Sequence, residues 1–225
     1  MGEGVDPLPR CSCNRFQELL QYSSKMEVKV AHGFYIGKIV PSDVDGPGTR
    51  SVVHFAGCSI GCVGCFNPHT HDQANPLVWK ADAQSVAREM VSVSPLVTVS
   101  GGEPTDQCEA LYELLVALRS EGAESVIMFT GRRVEWLRAN RPAWLRIEAE
   151  KLVDVIIDGP YVRKLDEKSP VMRGSSNQRI LTYTDVYTEA DFRYRDIEIN
   201  IDAEGLVMTG FPDAELIEAL TLMAG

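Results

Sequence analysis

Apolar positions along the chain fall into short β-branched and aromatic runs separated by stretches with helical spacing, and this alternation predicts most of the fold. The run at 28–40 reads as one or two strands around Gly33, and 51–56 reads as a short strand. Between them lies a turn-rich segment, Ser42-Asp43-Val44-Asp45-Gly46-Pro47-Gly48-Thr49-Arg50. Helical spacing over 81–91 precedes an apolar strand at 96–100, and 108–120 is an amphipathic helix that closes near Gly122. A strand at 125–130 leads to helical pieces at 133–140 and 144–151, separated by Pro142, and then to a buried strand at 153–158. Strands that alternate with helices predict a parallel sheet with crossover helices, hence an α/β fold with too few units for an eightfold barrel.

Beyond 158 the pattern changes. Strands are predicted at 179–183, 197–201 and 206–209, with Ala203-Glu204-Gly205 as a hairpin turn, and a short helix at 213–223 closes the chain. The first 25 residues carry Pro7, Pro9 and early glycines and join no later periodic pattern, so they read as a flexible extension. The expected organisation is an extension over 1–25, a core over 26–182 and a strand and helix extension over 183–225 packed on that core.

Composition narrows the function. A chain of 225 residues that is 44% hydrophobic and 24% charged suits an ordinary globular protein with one substantial core. No apolar stretch approaches the ~20 residues a bilayer requires, and no signal peptide is evident, which predicts a cytoplasmic protein without a membrane partner. The net charge of −10 argues against nucleic acid as a partner, because neutralising phosphates needs a positive surface.

The chemistry concentrates in Gly57-Cys58-Ser59-Ile60-Gly61-Cys62-Val63-Gly64-Cys65-Phe66. Three thiolates in a glycine-rich loop suit an iron–sulfur cluster, since glycines let the backbone wrap the inorganic core and turn its N–H groups toward the sulfides. If three cysteines hold three irons of a four-iron cluster, the fourth iron keeps an open site, which is a catalytic arrangement. The alternative is a zinc site of three cysteines and one histidine, drawing on His54, His69 or His71. Cys11 and Cys13 read as an accidental pair in the N-terminal extension, and Cys108 as a core residue of its helix.

A second motif, Ser100-Gly101-Gly102-Glu103-Pro104, follows the strand at 96–100. Paired glycines allow a ligand close to the backbone, and a carboxylate can receive an ammonium group. At these two motifs the chain resembles the radical S-adenosylmethionine superfamily. The spacing of Cys58, Cys62 and Cys65 with an aromatic at Phe66 is similar to its signature, and the Gly-Gly-Glu run to its methionine-binding turn. Asp45-Gly46-Pro47-Gly48-Thr49-Arg50, Phe129-Thr130-Gly131, Asp158-Gly159 and Arg173-Gly174-Ser175-Ser176-Asn177-Gln178 resemble the activating proteins of anaerobic ribonucleotide reductase, over roughly 40–181.

That resemblance implies a partial, open parallel β/α barrel of radical S-adenosylmethionine type with a short C-terminal β-rich extension. Its implied cofactors are a 4Fe-4S cluster, held by Cys58, Cys62 and Cys65, and S-adenosyl-L-methionine. One electron from the cluster splits the sulfonium, and the resulting 5′-deoxyadenosyl radical takes hydrogen from a glycine of a partner glycyl radical enzyme. Reduced flavodoxin or ferredoxin is the implied donor. By position, Gly64 and Phe66 would border the adenine or the cluster, and Gly101, Gly102 and Glu103 would serve the methionine part. Phe66 reads equally as core. Thr130 and Asp158 would face the same mouth as ligand or cation groups, or cap turns; Ser175 and Asn177, with Arg173 and Ser176, would line the cosubstrate pocket or shape a docking loop. Both chain extensions exceed the compact form of the family and leave the target open to another glycyl radical enzyme, a peptide or a small molecule. A non-catalytic zinc or iron–sulfur module is the alternative of another class.

Overall fold

The computed structural model describes residues 33–75, 77–202 and 205–212, together with residue 216. The extension over 1–25 with Cys11 and Cys13, the start of the first predicted strand, and the helix predicted over 213–223 apart from residue 216 lie outside the described residues. In chain order the elements are β1 Phe34–Ser42, β2 Arg50–Phe55, β3 Trp79–Ala81, α1 Ala83–Val93, β4 Leu96–Gly101, α2 Cys108–Glu121 and β5 Ser125–Thr130. There follow α3 Val134–Asn140, α4 Pro142–Ala149, β6 Val155–Asp158, β7 Arg179–Thr182, β8 Ile197–Asp202 and β9 Gly205–Gly210.

Seven strands form one open sheet in the order β3-β1-β2-β4-β5-β6-β7. Its centre, β2-β4-β5-β6, is parallel as expected, but both flanks are antiparallel: β1 pairs β2 and β3, and β7 pairs β6. The strand β3 was not anticipated. It meets the predicted helix only at Ala81, and α1 begins only after Asp82, whose side chain caps Ser85 N at 2.9 Å. α2 stops where Gly122 turns left-handed at φ 101°. Pro142 does not separate two helices so much as open α4 at its first position. β8 and β9 form a separate antiparallel hairpin. No helix among the described residues is long and apolar enough to cross a membrane.

Side chains alternate across the sheet, and the two faces are covered differently. Val53, Phe55, Val97, Val99, Val126 and Met128 pack under the helices with Leu111, Leu114, Leu118 and Trp144. The opposite face carries Ile127, Val155 and Ile157, covered by Met172, Phe192 and Phe211 from segments after β6. This second face supports the candidate site.

Arg50, fully buried at the start of β2, ties the lower end of the sheet together. Its guanidinium donates to Thr98 Oγ1 (2.7 Å), Val97 O (2.6 Å), Ser125 Oγ (2.9 Å), Pro47 O (3.0 Å) and Tyr187 Oη (3.1 Å), linking β2, β4, β5, the preceding loop and the C-terminal segment. Arg50→Met strands these acceptors without a donor, and the fold is expected to lose about 3 kcal/mol in denaturant unfolding. Arg50→Lys recovers only part of it, because an ammonium cannot span so wide a fork.

His54 lies between Val53 and Phe55 on β2 and therefore points to the face opposite the helices, opposite Lys38 on β1 and beside Ser100 on β4. Neither ring nitrogen has a hydrogen-bond partner among the described residues. Burial, with Lys38 and His69 adding to it, lowers the imidazole pKa from 6.5 to about 3. The unfolded chain therefore binds a proton near pH 6.5 that the folded chain refuses, so stability present above that pH is lost as pH falls toward 3. For the cluster-free chain this amounts to roughly 2 kcal/mol between pH 7 and 5. His54→Leu should flatten that part of the pH dependence in urea titrations.

Candidate active site

The chain leaves β2 at Phe55 and enters the cysteine loop at the C-terminal end of the parallel strands, where open α/β sheets bind ligands. The loop is held from both sides. Gly57 N donates to Thr70 O (2.7 Å) and Cys58 N to His71 O (3.2 Å), while Ser59 N and Oγ donate to Asp106 (2.7 and 2.9 Å). Arg132 reaches both Ser59 Oγ (2.6 Å) and Asp106 (3.1 Å). Gly57, Gly61 and Gly64 adopt φ of 99°, 61° and 77°, conformations that side chains beyond glycine resist.

Cys58, Cys62 and Cys65 are half-buried and border one cavity of about 110 Å³, whose other side is formed by Gly101, Gly102, Glu103, Thr130 and Gly131. Thiols placed around a cavity fit a cluster of several metal atoms. Burial pushes the thiols of Cys62 and Cys65 up, so binding of metal there expels protons. Asn67 N donates to Cys65 Sγ at 3.4 Å, the type of backbone contact that thiolate ligands accept.

Gly101 and Gly102 serve a purpose the sequence concealed. Gly102 N donates to Phe55 O (2.7 Å) and Glu103 N to Gly57 O (2.9 Å), so the two turns dock backbone to backbone. A Cβ on Gly101 would lie 2.5 Å from Phe55 N, and one on Gly102 only 2.3 Å from Gly57 O. The close approach that requires glycine is made by the cysteine loop itself.

Glu103 is fully buried. Its Oε1 accepts from Thr105 N (2.9 Å), Thr105 Oγ1 (2.6 Å) and Thr130 Oγ1 (2.8 Å), and its Oε2 from Gly131 N (2.8 Å). Burial raises its pKa despite these donors. The more lightly used Oε2 is the one with capacity for a further donor in the cavity.

The remaining predicted positions divide. Thr130 lines the cavity, although its hydroxyl is committed to Glu103. Asp158 is fully buried and caps Val134 N at 3.0 Å while pairing with Arg133 and Arg179, so its position is that of a capping and ion-pairing group outside this cavity. Ser175 Oγ accepts from Val162 N (3.1 Å), and Asn177 Nδ2 donates to Pro160 O (2.8 Å); both brace the turn after β6 and neither lines the thiol cavity. Gly64 lies next to Arg163 and Tyr161, also outside it. Phe66 borders a second cavity, with its ring 4.9 Å from that of Tyr161.

Several lining residues were missed, Tyr161 and Gln178 among them. Tyr161 and Gln178 border both the thiol cavity and the second one. Gln178 is immobilised by Gly174 N (2.8 Å) and Ser175 N (3.0 Å) on its Oε1 and by Gly159 O (2.8 Å) on its Nε2. Its presence in the Arg-Gly-Ser-Ser-Asn-Gln run was the available signal. A larger cavity of about 690 Å³ runs along β7, includes Asn177 and lacks the cysteines. Two of its arginines are occupied elsewhere, Arg173 by Glu167 and Arg179 by Asp158 and Glu135.

Comparison with known proteins agrees with this geometry. Residues 44–181 match the family described as a 4Fe-4S single cluster domain. The anaerobic ribonucleoside-triphosphate reductase-activating protein of Enterobacteria phage T4 is 32% identical over 154 residues, covering 66% of this chain and 94% of that protein. The protein of the same name from Escherichia coli K12 is 27% identical over 148 residues, 60% of this chain and 89% of its own length. The pyruvate formate-lyase-activating enzyme of Clostridium pasteurianum is 34% identical over 95 residues, 39% of each chain. The chain belongs to the 4Fe-4S single cluster domain family and, within it, to the radical S-adenosylmethionine activating enzymes, whose cofactors are a 4Fe-4S cluster and S-adenosyl-L-methionine.

Proposed function

We propose that this enzyme installs a glycyl radical on a partner protein, and that the partner is an anaerobic ribonucleoside-triphosphate reductase. The observation that supports it most directly is the single cavity bordered by Cys58, Cys62 and Cys65 on one side and by Gly101, Gly102 and Glu103 on the other. Two relatives that align over 94% and 89% of their lengths carry that reductase in their names. When bound, the cluster and S-adenosylmethionine supply a one-electron cleavage of the sulfonium C–S bond and a carbon radical that removes a hydrogen atom from the target.

The chain's own residues bind, orient and exclude water. Cys58, Cys62 and Cys65 hold three irons. Glu103 Oε2 receives the α-ammonium of S-adenosylmethionine; Thr105, Thr130 and Gly131 fix that carboxylate in place through its four hydrogen bonds. The N–H groups of Gly102 and Glu103 are already spent on Phe55 O and Gly57 O, so this turn serves the ligand through its shape and the Glu103 carboxylate. Tyr161 and Gln178 close the side between the two cavities and keep water from the reacting carbon. Val63, between Cys62 and Gly64, is 79% exposed, which leaves the loop open to a docking electron donor. A reduced flavodoxin or ferredoxin in the cytoplasm fits that role.

Anaerobic reconstitution with iron and sulfide should give a brown protein near four irons per chain that cleaves S-adenosylmethionine under dithionite and raises a glycyl radical signal on a candidate reductase. Cleavage without any radical on the reductase would reject the partner. Cys62→Ala is expected to abolish cleavage, and Cys11→Ala to leave iron content and cleavage unchanged.

Gly102→Ala should also lose both iron and cleavage, although residue 102 is no ligand, because its methyl group would displace Gly57. Normal iron content in that variant would contradict the docking of the two turns. Iron analysis and the visible spectrum distinguish these outcomes.

A further inference from the structure

Among the described residues the sheet ends at β7, which pairs only with β6. Gly159 N donates to Thr130 O at 3.0 Å and Tyr183 N to Asp154 O at 2.7 Å, and these two bonds fix the alternation of the β6–β7 ladder. Arg179 and Leu181 turn their main-chain groups toward β6. The N–H and C=O groups of Ile180 and Thr182 therefore point outward, and no described residue bonds to them. The cavity of about 690 Å³ runs along this edge, lined by Asn177, Gln178, Ile180 and Leu181 on the strand and its approach, and by Glu189 and Arg193 from the segment after it.

An open edge invites a further strand, and this one leads to the active site. β7 runs antiparallel to β6, so its first residue, Arg179, pairs with Asp158 at the C-terminal end of the parallel strands, the end that carries the cysteine loop. Gln178, immediately before it, lines the edge cavity, the thiol cavity and the cavity beside Cys65 alike. A chain laid along β7 thus continues at Gln178 into the mouth of the site. Hydrogen removal from a glycine of another protein requires such a chain, because the reacting carbon belongs to main chain. Charge adds a preference. Of the three arginines lining the edge cavity, Arg173 is held by Glu167, and Arg179 by Asp158 and Glu135. Arg193 is exposed and forms no ion pair with a described residue, so a carboxylate on the incoming segment complements it.

We propose that the outer edge of β7 is the docking strand for the target protein. An extended acidic segment of that protein adds to the sheet beside β7, pairs with the main chain of Ile180 and Thr182, and leads the reacting glycine past Gln178 to the thiol cavity. β7 has four residues, so the paired stretch is about 13 Å at ~3.3 Å per residue. Main-chain hydrogen bonds supply affinity in such strand addition, and flanking side chains supply selectivity. The inference rests on the glycine-target reading above.

It is tested with the reconstituted enzyme and a full-length anaerobic ribonucleoside-triphosphate reductase from the same organism. Amide hydrogen exchange at Ile180 and Thr182 should slow by about tenfold or more in the complex, whereas Leu181, already bonded within the sheet, changes little. Thr182→Pro removes one outward N–H at an exposed position, where an edge strand tolerates proline. It should weaken reductase binding by about tenfold and lower the glycyl radical yield at limiting reductase, with dithionite-driven cleavage of S-adenosylmethionine unchanged. Thr182→Ala keeps the N–H and should behave as wild type. Arg193→Glu carries the test if the proline variant does not fold, and should weaken binding most at low salt.

Wild-type affinity in folded Thr182→Pro, or in Arg193→Glu where the proline variant does not fold, overturns the inference. Unchanged exchange at Ile180 and Thr182 in the complex does the same. Slow exchange at these amides in the enzyme alone, lost on dilution, assigns the edge to a second copy of this chain and also overturns it. A reductase that neither binds nor gains a radical, while S-adenosylmethionine is cleaved, overturns the partner reading and the inference with it.

Discussion

The backbone contact between the cysteine loop and the turn after β4 is the constraint on which the site depends. Phe55 O and Gly57 O accept from Gly102 N and Glu103 N at 2.7 and 2.9 Å, and neither Gly101 nor Gly102 has room for a single additional carbon. One turn carries the thiols and the other the carboxylate, so this contact sets the distance between the metal ligands and the group proposed to hold the cosubstrate. Because it is made by main chain to main chain, it is insensitive to rotamer changes. Pre-organisation of this kind is what a site needs if cofactor and cosubstrate are to meet with their reacting atoms aligned. Asp106 extends the lock by accepting from Ser59 and pairing with Arg132, which also stacks 4.1 Å from the centre of the Trp136 ring.

The central layer of this architecture is legible in the amino-acid pattern. Apolar runs bounded by turn residues mark β5 at its observed limits, and the helical period with Gly122 marks α2 nearly to the residue. Those elements are buried, and burial is what periodicity records. The strand β3 is three residues long and mostly exposed, so it leaves no hydrophobic trace. The antiparallel flanks are equally silent, since strand direction depends on which segments meet and not on which residues compose them.

The candidate site shows the same division. Thiols at fixed spacing advertise themselves, because few other roles need three cysteines in eight residues. Positions chosen by motif alone are placed less evenly: Glu103 borders the thiol cavity, Asp158 caps Val134 N, and Ser175 and Asn177 hold the turn after β6. Gln178 and Tyr161 line the site because that turn is held, and a brace and the residue it positions look alike in sequence. At the Gly-Gly pair a close approach is made by the chain itself, which the sequence pattern does not reveal.

Covering the second face of the sheet has consequences for function. The helices protect one face only, which leaves Ile127, Val155 and Ile157 to be buried by segments that follow β6. Each such apolar side chain contributes about 1.5–3 kcal/mol when fully covered, so a fold of this size cannot leave them wet. Phe192 and Phe211 supply the cover, and the position of Phe211 over Phe129 makes it at the same time a wall of the space beside Cys65. Substitutions that shrink Phe211 therefore remove apolar cover from the sheet and open the space beside Cys65 together.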